Sequence, residues 1–255
     1  MAPPRDWQEI QTAKWAERDA RIPAEWKLKP EDFPPAGTRD LRPVAISCGI
    51  LTPEELKITG PTQDATSLIA SIAAGTYSST QVVTAFCKRA AIGQQLCNNL
   101  TELMFSDALE KAKKLDEHYS KTGKVVGPLH GLPMTFKECF HFKGYDSTNG
   151  YISRCFDPAT VTSPLPLLLE AAGAVIIAKT NVPQTMLVAE SHNNVFGQTR
   201  NPVVSHLTCG GSSGGEVRIS SNFQTCLLIF IQQGSNMAFG GAPLGIGTDV
   251  GGSIR

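Results

Sequence analysis

Three glycine-rich segments hold the residues best placed to do chemistry. Cys209-Gly-Gly-Ser-Ser-Gly-Gly-Glu216 sets two serines between glycine pairs. That glycine content excludes a helix or strand interior and lets backbone approach backbone or ligand closely. Such a loop can cradle a phosphate or act as a flexible linker, although no lysine follows the glycines as a Walker-type phosphate loop requires. Gly245-Ile-Gly-Thr-Asp-Val-Gly-Gly-Ser-Ile-Arg255 again sets a serine after two glycines. Unshielded glycine N–H groups can converge on a developing oxyanion, so this turn suits an acyl-transfer nucleophile, or it is an ordinary glycine turn; Asp249 and Arg255 could pair to brace it. Gly127-Pro-Leu-His-Gly-Leu-Pro-Met-Thr-Phe-Lys-Glu138 ends an apolar run on a lysine. At a strand end Lys137 is an ordinary surface charge; buried, its lowered pKa would let it act as a neutral base.

Composition narrows the classes. Lysine plus arginine (23) equals aspartate plus glutamate (23), so the formal net charge is zero; nothing in this balance suggests a basic nucleic-acid footprint or an acidic tail. Apolar residues make up 41% of the 255, ordinary for a globular protein. No apolar stretch follows the first five residues, so no secretory signal is expected, and the apolar run 226–231 is far too short to span a bilayer. The seven cysteines are scattered without a C-x-x-C pair, which argues against a zinc or redox site and points to a reducing, cytoplasmic setting.

The elements that must position these residues are partly legible. Residues 6–21 have roughly helical spacing, with Trp7, Ile10, Trp15 and Ile22 as a partial apolar stripe. Residues 23–61 are proline-rich and read as an arm over the surface, with a short helix near 54–58, or as a linker. Asp64 can cap a helix that turns Leu68, Ile69 and Ile72 inward and stops at Gly75. Ser78 and Gln81 have capping-box spacing for a second helix carrying Val82, Val83 and Phe86. Phe105, Ala108, Leu109, Ala112 and Tyr119 recur at helical intervals in a third, with Asp107–Lys111 and Glu110–Lys114 spaced as i,i+4 pairs. Residues 132–136 read as a strand, Ser163-Pro164 as a helix start, Gly173 as its stop, and residues 174–178 as a buried strand. Strands alternating with helices argue for an α/β layered domain with a mixed sheet. His192 and Asn193 are expected in a structural polar loop at a strand-to-helix turn.

Taken together and in order, Gly-Leu-Pro-x-x-x-Lys137, Gly-Gly-Ser-Ser-Gly-Gly-Glu216 and Gly-Thr-Asp-x-Gly-Gly-Ser-Ile-Arg255 resemble the hallmark of the amidase signature family. The likeness runs through nearly the whole chain. Glu25-Trp-Lys, Gly49-Ile-Leu, Glu55-Leu-Lys-Ile-Thr59, Ala85-Phe-Cys-Lys-Arg-Ala-Ala91, Leu115-Asp-Glu, Gly150-Tyr-Ile-Ser153, Lys179-Thr and Val182-Pro-Gln-Thr185 resemble the fungal acetamidase and general amidase branch. The resemblance implies an α/β amidase-signature fold, a mixed β-sheet covered by helices, with residues 1–61 as an N-terminal arm and 62–255 as the N-terminal part of one domain. It implies hydrolysis of a small monocarboxylic acid amide to carboxylate and ammonia through an acyl-enzyme. Ser253 matches the nucleophile, Ser212 the bridging serine, whose peptide bond is cis in the family, and Lys137 the base. The N–H groups of Val250, Gly251, Gly252 and Ser253 match the oxyanion hole, and Ser213, Asp249 and Arg255 are supporting positions. His130 lies in a Pro-Leu-His-Gly stretch that has no catalytic role in the acetamidase branch. No metal or organic cofactor is implied. The expected partner is the small-molecule amide, with a second copy of the chain where it self-associates, and neither nucleic acid nor a membrane. An amidotransferase subunit, which would need a partner, and a lipid-amide hydrolase, which would need a membrane-binding segment, fit the arm less well.

Two departures from the family pattern stand out. Ser212 and Ser253 are 41 positions apart, further than family members hold them. The excess maps to residues 217–233, which read as a translated in-frame intron: Val217-Arg218 can be encoded from a GT donor site and Gln233 by CAG. A genuine surface insertion is the competing reading, because loop closure cost grows slowly with length. The sequence also stops two residues after Ser253, where family members continue. On that basis the expectation is a truncated chain, catalytically inactive or the product of a pseudogene, with apolar sheet faces uncovered and poor solubility. Soluble expression with triad-dependent amide hydrolysis would overturn it.

Overall fold

The computed structural model describes residues 6–214 and 234–253; the segment 217–233 and Arg255 therefore lie outside the described residues. Eight helices and six strands occur among them. Chain order begins with α1 (Trp7–Ala20), α2 (Val44–Ser47), α3 (Pro53–Ile58), α4 (Ala65–Ala73), α5 (Ser79–Cys97), β1 (Leu100–Leu103) and α6 (Phe105–Thr122). It continues with β2 (Pro133–Lys137), α7 (Pro164–Ala171), β3 (Val175–Thr180), β4 (His192–Asn193), β5 (Gly197–Gln198), α8 (Ser235–Phe239) and β6 (Leu244–Ile246).

Local chemistry fixes the helix ends. Asp64 and Ser67 exchange two capping bonds at the start of α4, and Ser78 and Gln81 do the same for α5, each satisfying N–H groups that the first turn leaves unpaired. Helix α5 ends where Asn98 adopts a left-handed conformation (φ 51°), and α6 where Gly123 does so (φ 66°).

The main sheet has the order β1-β3-β2-β6. Strand β1 is antiparallel to β3, whereas β3, β2 and β6 are parallel, so the sheet is mixed as expected. The parallel pair β2 and β3 is joined through α7, since a parallel connection must cross over. Every residue of β2 and β3 is buried, as expected for parallel strands covered on both faces, including the polar Thr135, Lys137, Lys179 and Thr180. Helices α5 and α6 cover the sheet, bringing Val82, Phe86, Ala90, Phe105 and Ala112 against Met134, Phe136 and Ile177. A second cluster packs Leu28, Leu41, Val44 and Leu51 on Ile92, Leu96 and Phe239, so the proline-rich segment is held against α5.

Three sequence expectations are corrected. Helix α1 does not bury its tryptophans: Trp7 and Trp15 are 47% and 38% exposed, whereas Lys14 and Arg18 are buried. Two buried carboxylates account for this, because Lys14 Nζ lies 2.6 Å from Glu102 and 2.7 Å from Asp146, and buried charges require partners. Asp107 does not pair with Lys111; it accepts from Tyr145 Oη at 2.7 Å, and Lys111 reaches across to Glu170 on α7 at 2.7 Å. The Glu110–Lys114 pair does form, at 2.6 Å. His192 and Asn193 form one arm of a two-stranded hairpin with β5 and not a turn into a helix. Asn193 makes that hairpin by donating to Asn181 and Val182 while accepting from the Val195 and Phe196 N–H groups. No helix among the described residues is long and apolar enough to cross a membrane.

Candidate active site

Strand β2 delivers Lys137 to the site from the middle of the sheet, and the side chain is 1% exposed. Its Nζ lies 2.9 Å from Ser212 Oγ, 2.8 Å from Thr248 Oγ1 and 3.3 Å from the Thr248 carbonyl oxygen. Thr248 arrives from the neighbouring strand, because β6 pairs with β2 in parallel and the chain runs straight on past Ile246. The short hydroxyl-to-ammonium reach is thus a consequence of strand adjacency.

Ser212 sits on a segment pressed against its surroundings. A Cβ at Gly211 would overlap the backbone of Glu190, and one at Gly214 would overlap Ser191 and the Gly210 carbonyl, so only glycine fits. The Gly211–Ser212 peptide bond is cis. Ser212 and Ser213 are both buried. Ser212 Oγ lies 2.9 Å from Ser253 Oγ, which completes a continuous chain Lys137–Ser212–Ser253. Ser213 ties the two glycine-rich segments together: its N–H donates to the Ser253 carbonyl at 3.1 Å, and its Oγ donates to the Thr248 carbonyl at 3.0 Å.

The Ser253 turn opens outward. Val250 and Gly251 are exposed and Ser253 is half-buried, so the nucleophile candidate faces the accessible side and the lysine the interior. Asp249 Oδ1 accepts from the Gly252 N–H and, at 3.1 Å, from the Ser253 N–H. Two of the four N–H groups expected for an oxyanion hole therefore face this carboxylate in the present state. The Asp249–Arg255 brace falls outside the described residues. His130 serves a different purpose: it is buried, and its Nδ1 accepts the Val126 N–H at 3.0 Å.

Sequence reasoning missed Thr248 and the pair beneath Lys137. Thr248 stood in the Gly-Thr-Asp string, where a hydroxyl two residues beyond a strand was the available signal. Glu138 and Lys179 are both fully buried. Burial pushes the Glu138 carboxyl above the usual carboxylate range and the Lys179 ammonium below the usual lysine range, and each is opposed by the other's charge.

Comparisons with known proteins show the family and the fold. The family model described as Amidase matches residues 81–222. An amidase of Gibberella moniliformis is 44% identical over 98% of this chain and 44% of its own length. An acetamidase of Aspergillus oryzae is 41% identical over 99% of this chain and 42% of its own. Among solved structures, a fatty acid amide hydrolase superposes with a TM-score of 0.84 at 32% identity, over 98% of this chain and 41% of that one. The chain thus spans less than half the length of these relatives.

Proposed function

The chain belongs to the amidase signature family, and on that premise we propose that it carries the catalytic residues of an enzyme that hydrolyses small monocarboxylic acid amides to carboxylate and ammonia. The observation that carries this reading is the unbroken line of hydrogen-bond distances from Lys137 Nζ through Ser212 Oγ to Ser253 Oγ, 2.9 Å at each step. In the proposed cycle Ser253 Oγ attacks the amide carbonyl while its proton passes to Ser212, and the Ser212 proton passes to a neutral Lys137. The tetrahedral oxyanion is held by backbone N–H groups of residues 250–253; use of the Gly252 and Ser253 donors requires the Asp249 carboxylate to yield them. Lys137 then returns the proton through Ser212 to the leaving nitrogen, ammonia departs, and water cleaves the acyl-Ser253 ester by the same relay.

The likeness to an acetamidase supports a short acyl group. The test is ammonia release from acetamide, propionamide and a long-chain amide by the wild-type chain and its Ser253→Ala variant. Release from the short amides that vanishes in the variant is the outcome this reading requires, and it would overturn the expectation of an inactive chain. Ammonia release that survives in Ser253→Ala would overturn the triad, and hydrolysis confined to the long-chain amide would overturn the substrate class.

A further inference from the structure

Lys137 and Glu138 are successive residues at the end of β2, so their side chains leave the sheet on opposite faces. The pairing supports this: Phe136 is in register with Lys179 on β3, which places Lys179 on the Glu138 face, and Lys179 Nζ lies 3.9 Å from Glu138 Oε1. Glu138 is saturated with donors. It accepts from the Thr148 N–H at 2.6 Å, the Thr148 hydroxyl at 3.1 Å and the Asn149 N–H at 2.8 Å, the pattern of an ionised carboxylate. Lys179 Nζ donates to the Asp146 carbonyl at 2.6 Å and Ser147 Oγ at 2.9 Å. A buried cation and a buried anion thus lie on the opposite face of the sheet from the candidate base.

We propose that the Glu138–Lys179 pair is a positioning and charge-balancing device for Lys137, setting the pH at which the triad gains its neutral base; the proposal rests on the amidase reading above. As an ionised pair it presents nearly zero net charge to Lys137. Unbalanced, it does not: at an effective dielectric of about 20, an unpaired unit charge roughly 10 Å from a titrating group moves its titration by about one pH unit. Among the described residues, the titratable groups around Lys137 include Cys139 after β2, Asp249 after β6 and Glu190 beside Gly211. Asp146 and Glu102 are paired with Lys14. All of these stay unaltered in the variants below.

The experiment is the pH profile of kcat/KM for a short amide in the full chain. Glu138→Gln leaves the Lys179 cation uncompensated, disfavours a second cation at Lys137, and moves the acidic limb to lower pH by about one unit. Lys179→Met leaves the Glu138 anion and moves the limb to higher pH by a similar amount. The double variant returns it to the wild-type position, and Lys179→Arg leaves it there. Folded single variants with an unmoved limb and kcat lowered alike at every pH would reduce the pair to a structural role and overturn the proposal. Should the single variants not fold, the wild-type chain decides: the ¹³Cε shift of Lys179 must hold its ammonium value across the limb, and an amine value there overturns the proposal. A wild-type chain without Ser253-dependent hydrolysis sinks the amidase reading instead, and the ¹³C titration still reports on the pair.

Discussion

The Gly214 carbonyl accepts the Ser235 N–H at 2.6 Å, although the two residues are separated by the whole of segment 217–233. Removing those 17 residues would leave Ser235 four positions after Gly214, the spacing of an α-helical hydrogen bond. Ser235 is also the first residue of α8. Gly214 and Ser235, on either side of the segment, are therefore already held within hydrogen-bond distance of each other.

Deleting residues 217–233 is accordingly expected to preserve the fold and the Lys137–Ser212–Ser253 geometry. Shortening the connection also relieves loop-closure entropy, on the order of 1–2 kcal/mol, so the melting temperature should rise or hold. Circular dichroism melts and Ser253-dependent ammonia release of the two chains check this. A deletion variant that melts well below the parent, or loses activity that the parent has, would show that the segment is a working part of the protein. Sequencing the transcript across codons 216 to 234 addresses the intron reading directly, because a spliced message lacks those codons.

Thr248 supplies Lys137 with an acceptor at 2.8 Å in addition to Ser212 at 2.9 Å. Thr248→Val keeps the shape and removes that acceptor. One hydrogen bond to a charged group is worth about 1.5–3 kcal/mol, so kcat should fall roughly ten- to a hundredfold with KM little changed. Lys137→Ala removes the relay end altogether and should cost about 10²–10⁴-fold. Steady-state kinetics on a short amide rank the two. A Thr248→Val enzyme with wild-type kcat would mean that the hydroxyl does not orient the lysine in the reacting state.

The strands and helices around this site were legible because their signals are local. Asp64, Ser78 and Gln81 cap helices through bonds within one turn, and the apolar runs at 132–136 and 174–178 needed only burial to become β2 and β3. The three glycine-rich segments could be ordered into a relay through their likeness to a known family; the residues alone left a linker, a phosphate cradle and a surface lysine open. What stayed hidden depends on partners distant in sequence. Lys14 is buried because Glu102 and Asp146 await it, and nothing in residues 6–21 announces that. Strand β1 was missed because Thr101 and Glu102 break an apolar pattern over four residues. Glu138 reads as an ordinary charge until the fold sets Lys179 beside it, and Thr248 reads as filler until β6 lies against β2.

His130 yields the last prediction. Its ring is 2% exposed, and burial holds its pKa below the ordinary 6.5. Nδ1 accepts the Val126 N–H, so the neutral ring carries its proton on Nε2, and protonation would set two N–H groups facing each other. A group whose pKa is depressed on folding contributes stability that is fully present above its unfolded value and is lost as pH falls through its folded value. The contribution should therefore be intact at pH 7.5 and should shrink progressively below about 6.5. His130→Gln keeps an acceptor but cannot titrate. The gap in melting temperature, wild type minus variant, is expected to narrow or change sign between pH 7.5 and pH 5. Melts across that range provide the check, and a gap that stays constant would mean that His130 is equally protonated in the folded and unfolded chains.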